Sequence, residues 1–289
     1  MNGWLVVNNF INDRKFNELY SWFLDASKEN NIELSLKRTG DLISVLGEKP
    51  FNETPNFVLF WDKDIYLAQR LELMGMKVFN SAHAIEVCDN KALTAIQLSN
   101  NNIRIPKTII APKTFEGIGY NSTEFIEYAG ENLKYPFIIK EVYGSFGQQV
   151  YLAETQQQAE IIIKKLDYKD FTMQELIKSS WGKDIRINIV ENRAVASMYR
   201  YSTVGDFRSN ITLGGQMETY QPNKEQIEIA IQACNAVGVD FGGVDILFGE
   251  NDTPIVCEVN SNPHFKTTYE CTKINIAKVI IEYIKRKCI

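Results

Sequence analysis

The chain has 289 residues, of which 45% are hydrophobic, 11% aromatic and 23% charged; 31 Lys and Arg against 36 Asp and Glu leave a formal charge of -5. That length exceeds a single domain of roughly 100–200 residues, and the apolar content suffices for packed cores, which excludes a disordered chain. The acidic balance argues against a nucleic-acid backbone binder, and no apolar run approaches the roughly 20 residues that span a bilayer, so neither DNA nor a membrane is an expected partner.

The opening Met1-Asn2-Gly3-Trp4-Leu5-Val6-Val7 has no basic stretch and reads as a first strand instead of an export signal. Five cysteines, an odd number without a C-x-x-C pair, suit a reduced compartment and structural thiols. The expectation is a soluble cytoplasmic protein.

In chain order, Leu5-Val6-Val7 is followed by Phe16, Leu19, Tyr20, Phe23 and Leu24 at helical spacing, then by a strand from Ile32 to Leu36. Phe57 to Trp61 is a third strand, closed by Asp62-Lys63-Asp64. A helix over 65–74 leads to a strand at Lys77-Val78-Phe79. Such strand–helix–strand units predict a small, mostly parallel sheet over 1–85. Ser81 and Asp89 are the expected N-caps of two short helices.

Strands are expected over 107–111, 137–140 and 149–152, with helices over 125–133 and 156–166. From Met173 onward the strands read as antiparallel pairs: 185–190 with 194–201 around Glu191-Asn192-Arg193, and 244–248 with 255–259 around a six-residue loop. Helices fill 224–237 and 275–287. Ile276, Val279, Ile280 and Tyr283 on the last one could cover a core or a second copy of the chain, so a homo-oligomer stays open.

Symmetric closure of the second hairpin sets Phe248 opposite Ile255, Leu247 opposite Val256, Ile246 opposite Cys257 and Asp245 opposite Glu258. Asn260 shares the face of Glu258, because strands have period two. Two carboxylates and an amide are hard oxygen ligands suited to Mg²⁺, with phosphates and water completing the shell; an exposed acidic face is the alternative. Lys140-Glu141-Val142-Tyr143-Gly144-Ser145-Phe146-Gly147 sets an ammonium beside a loop whose backbone can approach phosphate. It is neither a Walker A loop nor a G-x-G-x-x-G fingerprint, and an ordinary hairpin turn is its plain reading.

Gln174-Glu175-Leu176 before Gly182-Lys183-Asp184-Ile185-Arg186 can offer backbone hydrogen bonds to an adenine edge, or serve as a linker. Arg200 and Asp206-Phe207-Arg208-Ser209-Asn210 gather guanidinium groups that clamp phosphate or carboxylate, or are solvated surface charge. His83 reads as structural. His264 could reach the same cleft, and a lone turn histidine is the alternative.

Taken together, Asp89-Asn90-Lys91-Ala92-Leu93-Thr94, the strand to Lys140 with its glycine loop, Gln174 to Lys178, Gly182 to Arg186, Gly205 to Asn210, Gly243-Val244-Asp245-Ile246-Leu247 and Glu258-Val259-Asn260-Ser261-Asn262-Pro263 resemble, in this order, an ATP-grasp ligase of the RimK-like carboxylate–amine (alpha-L-glutamate) ligase family. The resemblance covers residues 89–263. It implies an α/β plus α+β chain: a Rossmann-like N-terminal domain (1–88), a central lid subdomain (89–178) and a C-terminal antiparallel-sheet subdomain with the metal site (179–289).

It further implies ATP and Mg²⁺ as cofactors, with Mn²⁺ as a substitute and two ions in the site. Lys91, Lys140, Gly144 and Gly147 would hold phosphates, Glu175 and Leu176 the adenine, and Asp184 the ribose. Arg208, Ser209 and Asn210 would line the phosphate end, and Asp245, Glu258 and Asn260 would hold metal. Arg208 and Arg200 would be catalytic. Arg186, His264 and Lys266 are the substrate candidates, because Asn260 is followed by Ser261-Asn262-Pro263-His264-Phe265-Lys266 where glutamate ligases of the family often continue Ala-Ser-Pro-Gly-Leu. That run adds bulk and charge where the acceptor would sit. The implied reaction joins a carboxylate (amino acid, peptide or protein terminus) to an amine such as an amino acid through an acyl phosphate. A phosphotransferase or a nucleotide-binding module without turnover are the alternatives.

Overall fold

The structure is a computed structural model, and it describes residues 1–48, 51, 54–145, 147–211 and 214–289. Strands β1 (Asn2–Val7), β2 (Glu33–Arg38), β3 (Phe57–Trp61) and β4 (Val78–Phe79) form a parallel sheet in the order β2-β1-β3-β4. Every residue of β3 is buried, as a strand covered on both faces requires. Alternation divides it cleanly. Phe57, Leu59 and Trp61 pack with Leu19, Tyr20 and Phe23 of α1 (Arg14–Glu29), whereas Val58 and Phe60 pack with Leu67, Ala68 and Leu71 of α2 (Ile65–Leu73).

Ser81 caps α3 (Ala82–Asp89) by accepting from Ala84 N. The next helix, α4 (Lys91–Asn100), is capped by Asn90, which accepts from Leu93 N, and not by the expected Asp89. Asp89 is the last residue of α3, and its carboxylate is held by Lys63.

The second sheet is antiparallel, in the order β5-β8-β6-β7: β5 (Thr108–Ile110), β6 (Phe137–Glu141), β7 (Val150–Ala153) and β8 (Phe171–Glu175). Phe137, Ile139, Phe171 and Met173 face α5 (Glu124–Leu133) and α6 (Gln156–Leu166) in one core. Period two then turns Ile138, Lys140 and Gln174 to the opposite face.

The third sheet is antiparallel in the order β11-β10-β9-β12-β13, from β9 (Lys183–Val190), β10 (Arg193–Tyr201), β11 (Gln216–Thr219), β12 (Phe241–Phe248) and β13 (Pro254–Asn260). One face is covered by α7 (Lys224–Val237), and also by residues from α3, α4 and the segment after them. Ala84, Val87, Cys88, Leu98 and Ile103 share a core with Ile185, Val244 and Ile229. Residues assigned from sequence to the first two units are therefore packed into the third.

After α8 (Lys266–Thr272), the last helix, α9 (Ile276–Cys288), lies against α1 and the first sheet. Ile276, Ile280 and Tyr283 are buried there, so the apolar face considered for a second copy is spent within the chain.

The β12–β13 hairpin departs from the expected register and yet keeps its central pair. Phe248 faces Pro254, Leu247 faces Ile255 and Ile246 faces Val256, one residue off the symmetric closure. A bulge at Cys257 takes up the extra residue, so Asp245 does face Glu258 and Gly243 faces Asn260. The shorter turn and the bulge cancel.

Asn80, fully buried, joins the first sheet to the third. Its Nδ2 donates to Phe241 O and Ser261 O, both at 2.9 Å, and its Oδ1 accepts from Asp240 N (2.7 Å) and Phe241 N (3.2 Å). Each buried backbone group left without a partner costs about 1–3 kcal/mol. We expect Asn80→Ala to lower unfolding free energy by at least ~3 kcal/mol in urea melts; a midpoint within error of the parent would show that water replaces the amide.

Candidate functional site

A cavity of about 680 Å³ opens where the three sheets meet. Every residue assigned above to nucleotide, metal, catalysis or substrate lines it. Its floor is the third sheet, its roof the face of the second sheet that carries Ile138, Lys140 and Gln174, and its far wall the carboxyl end of the first.

The floor carries a ladder of alternating charge. In register, Arg200 of β10 faces Asp184 of β9, and Arg186 of β9 faces Asp245 of β12. Arg200 donates from Nε and Nη2 to Asp184 at 2.7 and 2.6 Å, and Arg186 donates likewise to Asp245 at 2.7 Å twice. Arg200 Nη2 also reaches Asp245 Oδ2 at 3.0 Å, joining the two pairs. Burial by itself pushes the Asp245 carboxyl up, but the two guanidinium groups outweigh it and hold the group below the ordinary carboxylate range. For Arg200, burial lowers the value and Asp184 with Asp245 raises it further, so the cation is secure. The paired carboxylates make Arg200 and Arg186 parts of a fixed lattice. This linkage was missed from sequence, although Asp184 and Arg186 on one strand face were its visible half.

These residues can be tested against a hard divalent cation. A carboxylate has about four lone-pair positions, and guanidinium contacts occupy three of those on Asp245. Glu258 is half-buried and meets one cation, Lys91 Nζ at 3.8 Å. Asn260 has a buried side-chain nitrogen with no partner among the described residues, which a half-turn of the amide exchanges for an oxygen. Among the described residues no cluster of three or more His, Cys, Asp or Glu exists. The set Asp245, Glu258 and Asn260 therefore fits a cation that takes its remaining oxygens from phosphate and water, as Mg²⁺ does.

Cations from separate elements hold the glycine loop. Lys91 Nζ donates to Gly144 O and Arg208 Nη1 to Gly147 O, each at 2.9 Å, and Lys63 Nζ lies 3.3 Å from Ser145 Oγ. Phe146 lies outside the described residues. Lys140 Nζ points from β6 to the bulge at Cys257, 3.5 Å from Sγ. Arg208 is oriented by Asp206, whose carboxylate accepts from Nε and Nη2 at 3.1 and 2.8 Å. Gly215 allows this loop to turn back: a Cβ there would stand 2.4 Å from Ser209 O. Ser209 and Asn210 line the cavity beside it. At the apolar end, Leu176 lines the wall, and Glu175 Oε1 is taken by Lys107 N at 2.8 Å, so its carboxylate serves β5.

The run after Asn260 divides by direction. Phe265 is fully buried against Trp22, Phe23 and Trp61, so its bulk goes into the core and not into an acceptor pocket. His264 lines the cavity with Nε2 3.3 Å from Lys15 O and its ring edge-on to Phe16. Lys266 is ion-paired with Glu18 of α1. His83 is exposed on α3 and lies outside the cavity. Sequence reasoning missed the share of the first domain, namely Asn8, Phe16, Tyr20, Trp61, Asp62 and Lys63. The polar Asp62-Lys63-Asp64 at the carboxyl end of a parallel strand was the signal, because open parallel sheets bind ligands there.

Burial depresses the His264 imidazole below its ordinary 6.5. The unfolded chain thus takes up a proton that the folded chain refuses. Stability is complete above about pH 6.5 and declines as pH falls from there towards the lower folded value. We expect the urea midpoint to drop over that window and the drop to vanish in His264→Gln; a limb of unchanged size in the variant would assign it elsewhere.

The profile of the RimK-like ATP-grasp domain matches residues 88–284. Among relatives, the MG012 homolog of Mycoplasma pneumoniae is 33% identical over 256 residues, 88% of each chain. Beta-citrylglutamate synthase B of Mus musculus is 30% identical over 252 residues, covering 86% of this chain and 63% of that one. A crystal structure of a RimK-domain ATP-grasp protein from Sphaerobacter thermophilus matches with a TM-score of 0.76 at 17% identity, over 98% of this chain and 99% of that one. With its sheets, its cavity and its motif order in agreement with that profile, the chain belongs to the RimK-like ATP-grasp family and is an ATP-dependent carbon–nitrogen ligase.

Proposed function

We propose that this ligase joins a carboxylate substrate to an amine through an acyl phosphate, releasing ADP and phosphate. The observation that carries the reading is one cavity in which the acidic β12–β13 ribbon lies opposite the cation-held glycine loop. Adenine would lie between Ile138, Leu176 and Leu247, with the phosphates running toward Lys91, Lys140 and Arg208.

Lys91 and Arg208 now donate to carbonyls of the glycine loop. Phosphate oxygens would draw those donors more strongly than neutral carbonyls do, since donor and acceptor would then both be charged. Two ions held by Asp245, Glu258 and Asn260 would neutralise charge on the transferring phosphoryl group. The substrate carboxylate attacks the γ-phosphorus and ADP leaves; the amine then attacks the acyl carbon and phosphate leaves. Arg208 stabilises the developing phosphoryl charge. Arg200, buried between Asp184 and Asp245, fixes the position of the acidic floor. The glutamate of alpha-L-glutamate ligases is one acceptor or donor within this chemistry, and other amino acids or a peptide terminus are equally compatible with it.

Removing one preorganised donor costs about 3–4 kcal/mol of barrier. Arg208→Ala should therefore lose roughly 10²–10³-fold in turnover with an unchanged melting temperature; turnover within tenfold of the parent would take Arg208 out of the phosphate site. The reaction itself is tested by phosphate release from Mg-ATP with carboxylate and amine pools, alone and together. Release that needs both pools supports ligation, ADP with no amide product indicates a phosphotransferase, and AMP excludes both. In hydrogen exchange, Mg-ATP should slow the amides of Gly144, Ser145 and Gly147; exchange unaltered by nucleotide would take this loop out of the phosphate site.

A further inference from the structure

The end of the cavity opposite the proposed adenine is built from the carboxyl end of the first sheet and the run after β13, and its charge is uneven. Lys63 and Lys266 are each paired, with Asp89 and Glu18. Asp62 lines the same end at 8% exposure and, among the described residues, has no ion pair. Its Oδ1 accepts from the main-chain N of Lys63 and Asp64 at 2.6 and 2.9 Å. Those bonds orient the carboxylate but bring it no counter-charge.

Asn262 touches the same residue through its main chain: Nδ2 donates to the Asp62 carbonyl O at 2.7 Å. That bond fixes which way the amide points, and Asn262 Oδ1 is left buried with no partner among the described residues. A buried acceptor without a donor costs about 1–3 kcal/mol, so a ligand that supplies the donor relieves it. Phe16, Tyr20 and Trp61 line the same cavity as Asp62 and Asn262. Lys15 Nζ stands over the Phe16 ring, 5.1 Å from its centre, and Tyr20 and Trp61 present what little of their rings is exposed as an apolar wall.

Resting on the ligase reading above, we propose that Asp62 and Asn262 form the amine-substrate subsite, taking the primary ammonium of a compact amine with an apolar or aromatic body. Asp62 supplies the charge and Asn262 Oδ1 accepts one N–H, while the rings of Phe16, Tyr20 and Trp61 close around the body. The cations already paired at this end disfavour an amine with a second carboxylate. Burial pushes the Asp62 carboxyl above its ordinary range, the condition that an arriving ammonium would reverse.

Calorimetry on the full chain tests this directly. The protein is first saturated with Mg-ADP, then titrated with each standard amino acid, butylamine and phenethylamine, and with the N-acetyl form of each. At least one free amine should bind, its acetylated form should not, and Asp62→Asn should weaken it tenfold or more while Mg-ADP affinity stays within twofold. The asparagine retains an oxygen for the two backbone amides, so its melting temperature should not fall. Equal binding of acetylated and free forms, unchanged affinity in Asp62→Asn, or no amine bound by Mg-ADP-loaded protein would each overturn the assignment. Failure of Mg-ADP itself to bind would instead remove the nucleotide reading on which it rests.

Discussion

Asp184, Arg200, Asp245 and Arg186 form a continuous run of opposite charges across three neighbouring strands, buried beneath the cavity, and the site depends on it. Four charges out of water are tolerable only because each guanidinium is matched by a carboxylate in planar, two-bond geometry. Cross-strand register brings the partners face to face, so the β9–β10 and β9–β12 pairings fix where the carboxylate of Asp245 can be. A slip of one residue in either would send half of the run to the α7 side.

On that fixed floor the mobile chemistry is confined to contacts of lower stability. The glycine loop, between β6 and β7, is held by single, half-buried hydrogen bonds from Lys91 and Arg208. Such bonds from charged donors are worth about 1.5–3 kcal/mol net each and can be exchanged for phosphate. For the proposed function the division is physically sensible: a fixed acidic ribbon to hold a metal, and a loop whose donors can turn to a nucleotide. Shared cores extend the rigidity, since α3 and α4 close the third sheet and α9 closes the first.

How much of this was legible without coordinates can be read from particular residues. The helix over 156–166 and the strand over 57–61 coincide with the observed elements, because strong periodicity or continuous burial leaves little choice. The Asp245–Glu258 pairing emerged from an assumed six-residue loop, whereas the hairpin turns one residue earlier and repairs the register with a bulge at Cys257. The N-cap of α4 moved from Asp89 to Asn90 because Lys63, distant in sequence, claims the aspartate. Phe265, expected near the acceptor, fills the core between α1 and β3.

Sequence alone determined the local periodicities, the order of the family's motifs and the identity of the chemical groups, since each depends on neighbours a few residues apart. Only the tertiary structure decided that Arg186 and Arg200 are locked to carboxylates and that Lys266 is neutralised by Glu18. It also decided that the first domain contributes Asp62 and its aromatic surround to the cavity. These are encounters between residues up to about 250 positions apart, such as Lys266 with Glu18. Charge pairing at that range is set by how the sheets are stacked, which no short window of residues contains.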